Sequence, residues 1–180
     1  MATIEVFTGP MFAGKSTRLL NRVATFTDAG AEVLLVKHAT DTRYAEKAIV
    51  THDGKRLDAH VANSGNDLTV LLEKHPAKIV AVDEVQFFDH SFVSWARKAR
   101  AEGVTVVCAG LDRDSQGQPF GPMPYLLAFA DAVHKLAGEC PCGLLAVQTR
   151  RKADAPQGFI GGSERYESVC WPCFYKWGSF

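Results

Sequence analysis

Gly9-Pro-Met-Phe-Ala-Gly14-Lys15-Ser16 decides how this chain is read. The stretch fits G-x-x-x-x-G-K-[ST], and each residue type in that pattern has a physical task. Glycines let the backbone curl until its N–H groups point at phosphate oxygens. The lysine reaches the β- and γ-phosphates, and the serine hydroxyl can ligate Mg²⁺. The flanks are those the motif needs. Ile4-Glu-Val-Phe-Thr8 upstream reads as a short strand, and Leu19, Leu20, Val23 and Ala24 downstream recur at helical spacing until Gly30 ends the helix. A helix opening near Lys15 adds its positive dipole end to the same phosphate site.

Further along, the chain repeats short apolar runs separated by helical stretches. Val33–Val36, Ile79–Val82 and Val104–Val107 read as buried strands. Leu68, Leu71 and Leu72 mark a helix ending before Pro76, and Phe92, Trp95, Ala96 and Ala99 form one face of another. Four-residue apolar runs between helices predict a parallel sheet covered on both faces. His38 to about Ser64, and Gly110 to Pro124, read as two long polar loops. The expected fold is α/β: a P-loop NTPase domain with a central parallel β-sheet flanked by helices, over residues 1–138, plus a small C-terminal zinc-binding β module over 139–180.

The run Ile79-Val-Ala-Val82 ends in Asp83-Glu84. A carboxylate at the end of a parallel strand can hold the Mg²⁺ that bridges nucleotide phosphates. Glu84 is then free to act as a base on an attacking hydroxyl or water. These features imply an Mg-NTP enzyme and leave open whether it is a kinase or an NTP hydrolase.

Composition narrows the classes. The 180 residues are 47% hydrophobic, enough for one domain and an appendage. Lys+Arg and Asp+Glu are 20 each, a net charge of zero that argues against general nucleic-acid binding. No apolar run approaches the roughly 20 residues that span a bilayer, and the N-terminus lacks the basic start and apolar stretch of a signal peptide. A cytoplasmic location without membrane contact is the expectation. Five cysteines are poor disulfide material there. Cys140-Pro-Cys142 and Cys170-Trp-Pro-Cys173 instead pair as metal ligands, four thiolates suited to a closed structural Zn²⁺ site. Cys108 lies inside a strand and reads as core filler.

The motifs together resemble the zinc-containing, cellular and bacterial (type II) thymidine kinases. The resemblance rests on Gly9–Ser16, on Asp83-Glu-Val-Gln-Phe-Phe88, and on Asp41-Thr-Arg-Tyr44 with Thr51-His-Asp53. It rests also on Gln116-Gly-Gln-Pro-Phe-Gly121, and on Ile160-Gly-Gly162 with Tyr166 and Ser168-Val-Cys170. The motifs run in the family's order from Ile4 to Cys173. What the resemblance implies is transfer of the γ-phosphate of ATP to the 5′-hydroxyl of thymidine, with deoxyuridine also accepted. Glu84 falls on the catalytic base. Gly9, Pro10, Met11, Phe12, Ala13, Gly14, Lys15 and Ser16, with Asp83, Glu84, Val85 and Gln86, form the implied ATP and Mg²⁺ set. Arg43 and Arg151 are the expected charge stabilisers near the phosphates. Phe87 and Leu111 match the nucleoside pocket. Thr149, Phe159, Ile160, Gly161 and Tyr166 match a C-terminal loop that wraps the base. The resemblance also implies a homotetramer and feedback inhibition by thymidine triphosphate.

Two positions depart from the pattern. Ser115 stands where the family commonly has an aromatic packed by the base, and Gln148 replaces a frequent aromatic before Thr149. Both point to looser base choice, so a deoxynucleoside kinase of broader specificity is the nearest alternative. A nucleic-acid-stimulated ATPase with a zinc ribbon is the alternative from another class.

Overall fold

The computed structural model describes residues 1–40, 48–50, 56–155 and 161–176. Its centre is a six-stranded sheet. The strands are β1 (Ile4–Thr8), β2 (Val33–His38), β5 (His60–Ala62), β6 (Ile79–Asp83), β7 (Thr105–Gly110) and β8 (Ala132–Lys135). Their spatial order is β5-β2-β6-β7-β1-β8, and every pairing is parallel.

The apolar runs split their side chains between two faces, as period-2 alternation requires. Val6, Val36, Val80, Val82 and Val106 face one way, under α2 (Gly65–Lys74), α3 (Ser91–Ala101) and α4 (Met123–Phe129). Phe92, Leu68, Met123 and Leu126 from those helices have essentially no exposed surface. Phe7, Leu35, Ala81, Val107 and Ala109 face the other way, under Leu19, Leu20 and Val23 of α1 (Lys15–Asp28). Each such aliphatic side chain, fully buried, contributes about 1.5–3 kcal/mol of transfer free energy. Cys108 is fully buried in the first of these layers, and burial pushes its thiol well above the ordinary cysteine range.

The expected long loop from His38 to Ser64 is broken by structure. β3 (Ala48–Val50) pairs antiparallel with β4 (Arg56–Asp58), and β5 adds a sixth strand to the sheet beside β2. Three-residue strands are too short to show alternation, which is why the sequence pattern passed over them. Likewise α4 begins inside the expected second loop, with Pro124 tolerated in its first turn. The edge strand β8 is exposed at all four residues and so has no apolar signature.

Beyond β8 the chain forms two small antiparallel sheets, β9 (Gly138–Glu139) with β10 (Leu145–Ala146) and β11 (Gln148–Arg151) with β12 (Tyr166–Val169), followed by the helix α5 (Trp171–Lys176). Cys140, Ala146, Val169 and Cys170 form their own small core, with Phe174 packed against it.

Candidate active site and zinc-binding cluster

The C-terminal ends of β6, β7 and β1 lie side by side, with Val82 paired to Cys108 and Thr8 to Gly110. The Thr8 hydroxyl donates to the Gly110 carbonyl at 3.0 Å, closing that end of the sheet. Ligands bind at such carboxyl ends in open α/β sheets. Three loops leave from here, and each carries part of the site.

The first is Gly9–Ser16. Gly9 has φ 139°, and a Cβ there would stand 2.3 Å from the Leu136 carbonyl oxygen, so only glycine fits. Gly14 is left-handed at φ 80° and caps α1. Between them Phe12 also holds a positive φ of 60°. Lys15 Nζ donates to the Pro10 carbonyl at 2.5 Å. The loop thus supplies a lysine, a serine and a helix N-terminus at one place.

The second loop follows Asp83, which is buried at 4% exposure. Its Oδ1 accepts the Glu84 N–H at 2.9 Å. Glu84 has φ 56°, then Val85–Phe87 makes a single 3₁₀ turn. Val85 is buried in the apolar core. Gln86, 1% exposed, uses both ends of its amide. Its Nε2 donates to the Glu84 carboxylate, and its Oε1 accepts the Leu111 N–H at 3.0 Å. Gln86 thereby fixes the carboxylate against the third loop, 111–121. Gly121 (φ 50°) seals that loop, since a Cβ would lie 2.2 Å from the Gln86 carbonyl oxygen.

A narrow cleft opens among these loops and β11–β12. Met11 of the first loop and Glu84 of the second line it. Phe87, Leu111, Thr149, Gly161 and Tyr166, all expected at the nucleoside, line it too. Phe87 is braced by an edge-on contact with Phe120 at 5.7 Å between ring centroids. Two further lining residues are Asp114 and Ser115. Asp114 Oδ1 accepts the N–H groups of Gln116 and Gln118, both at 2.9 Å. The Asp-Ser-Gln-Gly turn was the available signal for it.

Ser115 therefore sits at the cleft, as its position in the pattern implied. Gln148 does not: it is 1% exposed, outside the cleft lining, and its Nε2, close to Gly117, makes no hydrogen bond among the described residues. Alternation along β11 sends Thr149 to the cleft and its neighbour away from it. Of the two departures from the pattern, Ser115 lines the cleft and Gln148 does not. Arg151 is exposed at the end of β11 and outside the cleft lining. Its neighbour Arg150 is a tie within the C-terminal region, donating to Glu167 and, at 2.8 Å, to the Cys173 carbonyl. Arg43, Phe159 and Ile160 lie outside the described residues, as do Asp41–Tyr44 and Thr51–Asp53.

The four cysteines converge. The sulfurs of Cys140, Cys142, Cys170 and Cys173 all lie within 4.8 Å of one another, with Cys142 3.3 Å from Cys140 and 3.5 Å from Cys170. Tetrahedral Zn–S bonds of ~2.3 Å place sulfurs ~3.8 Å apart, so the cluster fits a zinc ion. Local geometry explains the tight C-x-C spacing. The Gly143 N–H reaches back to the Cys140 carbonyl at 2.8 Å, with Gly143 at φ 84°, folding the pair into one turn. Cys170 stands at the start of α5 and Cys173 in its first turn, which brings that pair together. Burial opposes ionisation of Cys140, yet the N–H groups of Cys142 and Cys170 and the neighbouring thiols draw it down to about 6. The same thiols, Cys142 first among them, push Cys173 the other way, up to about 12, so Cys140 is the thiol that ionises most readily.

Comparison with known proteins agrees with this geometry. The profile of the family described as "Thymidine kinase" matches residues 2–174. A thymidine kinase of Mesomycoplasma hyopneumoniae (strain 7448) is 36% identical over 172 residues, covering 94% of each chain. One from Metamycoplasma arthritidis (strain 158L3-1) is 38% identical, covering 94% of this chain and 89% of that one. Among solved structures, the genome packaging NTPase B204 of Sulfolobus turreted icosahedral virus 2, in complex with ATP-γS, superimposes with a TM-score of 0.51 at 12% identity, covering 79% of this chain and 78% of that one. That likeness speaks for a shared P-loop NTPase fold. With the profile spanning nearly the whole chain and the cleft lined as described, this chain belongs to the thymidine kinase family.

Proposed function

We propose that the protein transfers the γ-phosphate of ATP to the 5′-hydroxyl of thymidine, and of deoxyuridine, giving the monophosphate and ADP. The observation that carries the reading is the shared cleft: Glu84 and Met11 border it on the nucleotide side, and Phe87, Leu111, Thr149 and Tyr166 wall it on the other. Phosphoryl transfer asks mainly for positioning and charge neutralisation. The backbone of Gly9–Ser16 receives the phosphates, and Lys15 leaves the Pro10 carbonyl to contact them. The Ser16 hydroxyl and Asp83 would hold the Mg²⁺ of the nucleotide, which neutralises phosphate charge when bound. Glu84, held by Gln86, accepts the 5′-hydroxyl proton as that oxygen attacks phosphorus and ADP leaves. Arg43 and Arg151 add positive charge in this reading, and Phe159 and Ile160 complete the wrap around the base. The unit formed by 139–180 is the lasso and zinc module, with Zn²⁺ held by the four cysteines as a structural ion. A cytoplasmic homotetramer inhibited by thymidine triphosphate belongs to the same proposal.

Ser115 supports a second reading within the class. A serine at the cleft leaves space that an aromatic would fill, so bases other than thymine gain room. Both readings are tested by incubating the protein with Mg²⁺-ATP and each of thymidine, deoxyuridine, deoxycytidine, deoxyadenosine and deoxyguanosine, following monophosphate and ADP together. Thymidine-dependent monophosphate matched by ADP is the expected result. Comparable rates with deoxycytidine would favour the broader kinase, and ADP without any phosphorylated nucleoside would overturn both.

A further inference from the structure

One residue of the phosphate loop is gripped from a distant part of the chain. The Met11 N–H donates to Thr149 Oγ1 at 2.9 Å, and the Ser168 hydroxyl donates to the Met11 carbonyl. Thr149 and Ser168 are register partners on β11 and β12, both buried, at 3% and 7% exposure. Two adjacent hydroxyls thus hold both backbone polar groups of Met11, as a neighbouring strand would.

The position of this grip matters. The Met11 carbonyl belongs to the peptide that precedes Phe12, whose φ is 60°. A phenylalanine rarely adopts that conformation, and it persists only where surroundings over-determine it. Swinging the 11–12 peptide would let Phe12 relax to negative φ, and would also turn the Phe12 N–H, one of the loop's potential phosphate donors. Ser168 anchors the carbonyl side of that peptide, so the N–H side keeps its direction.

We infer that Thr149 and Ser168 are positioning residues for nucleotide binding: from β11–β12 they lock the phosphate loop in its anion-binding form. Thr149 then has a second task besides walling the cleft. The inference rests on the reading of Gly9–Ser16 as the ATP site.

The test measures the affinity of the Mg²⁺ complex of adenylyl imidodiphosphate, with no nucleoside present, for wild type and variants of the full chain. Zinc content and thermal midpoint are followed alongside. A net hydrogen bond corresponds to a factor of roughly 3–10 in such a constant. Ser168→Ala and Thr149→Val are each expected to weaken binding by about that factor. Ser168→Thr and Thr149→Ser, which keep a hydroxyl, should stay near wild type. The double variant Ser168→Ala/Thr149→Val should lose less than the product of the singles, because once either hold is gone the Met11 backbone is free to turn. Wild-type affinity in Ser168→Ala at full zinc content would overturn the inference. If Ser168→Ala does not fold, the comparison of Thr149→Val with Thr149→Ser decides, equal affinities counting against it. A wild type that binds no nucleotide would instead remove the ATP site, and the inference with it.

Discussion

Glu84 holds a left-handed backbone (φ 56°) at the very end of β6, a conformation that costs on the order of 1–3 kcal/mol for such a residue. Asp83 and Gln86 stabilise it, one through its carboxylate to the Glu84 N–H and the other through its amide to the Glu84 side chain. Such an arrangement fixes the orientation of a carboxylate that lines the cleft, as the proposed role of base requires. Glu84→Gln should therefore lower kcat by a factor on the order of 10²–10⁴ while leaving nucleotide affinity unchanged; steady-state kinetics beside a nucleotide titration checks it, and an unchanged kcat removes Glu84 as the base. The residue types of this site were legible early. Gly9, Gly14, Lys15 and Ser16 fall in one short stretch and Asp83-Glu84 in another, and each stretch follows from phosphate and metal chemistry. The grip of Thr149 and Ser168 on Met11 was not, since nothing local to β11 or β12 points to a loop 138 residues away. Gln86 was placed with the nucleotide set, and its work is to tie Glu84 to Leu111.

Among the elements, α2 shows how far local rules reach. Ser64 caps it, accepting the Asp67 N–H at 3.2 Å, and Asp67 returns the favour by accepting the Asn63 N–H at 2.8 Å. Reciprocal caps of this kind satisfy donors that the first turn leaves unpaired. Ser64→Ala should lower stability by about 1 kcal/mol in urea unfolding, with thymidine phosphorylation unaltered because α2 lies outside the cleft lining; no change in midpoint would mean that water replaces the cap. A long-range tie behaves differently. Asp131, just before β8, accepts the Ile4 N–H at 2.8 Å and both forks of Arg100 from α3. First the Ile4 N–H and then Arg100 hold its carboxyl below the ordinary 3.8. Folding therefore favours the ionised form. The stabilisation is complete above the unfolded value and disappears as pH falls through the lower folded one. Wild type should be more stable than Asp131→Asn above about pH 5, with the gap closing below about pH 4; a gap independent of pH would show that the tie does not depend on charge. Long apolar runs gave β2, β6 and β7 away, whereas β8, exposed throughout, and α5, built around a cysteine pair, carry no amphipathic pattern to find.

At the scale of the whole molecule, the two halves are stabilised by different means. The sheet and its helices bury aliphatic and aromatic side chains on both faces. The region from β9 to α5 has a small core of Cys140, Ala146, Val169 and Cys170, with Cys173 and Phe174 against it, and three of those six residues are cysteines of the cluster. So small a core gives little stability on its own, and a metal tie is the usual remedy in such cases. Cleft residues Thr149 and Tyr166 stand on β11 and β12, which lead from one cysteine pair to the other. Cys173→Ser should thus lower zinc content and loosen that region first, without unfolding the sheet. Native-state hydrogen exchange separates the outcomes, because stability is not uniform across a structure. Amides of β11 and β12 should lose protection, those of β1, β6 and β7 should keep it, and thymidine affinity should fall with the former. Full zinc in the variant would count against Cys173 as a ligand, and uniform loss of protection would show that the cysteine cluster holds up the entire fold instead of the cleft wall alone.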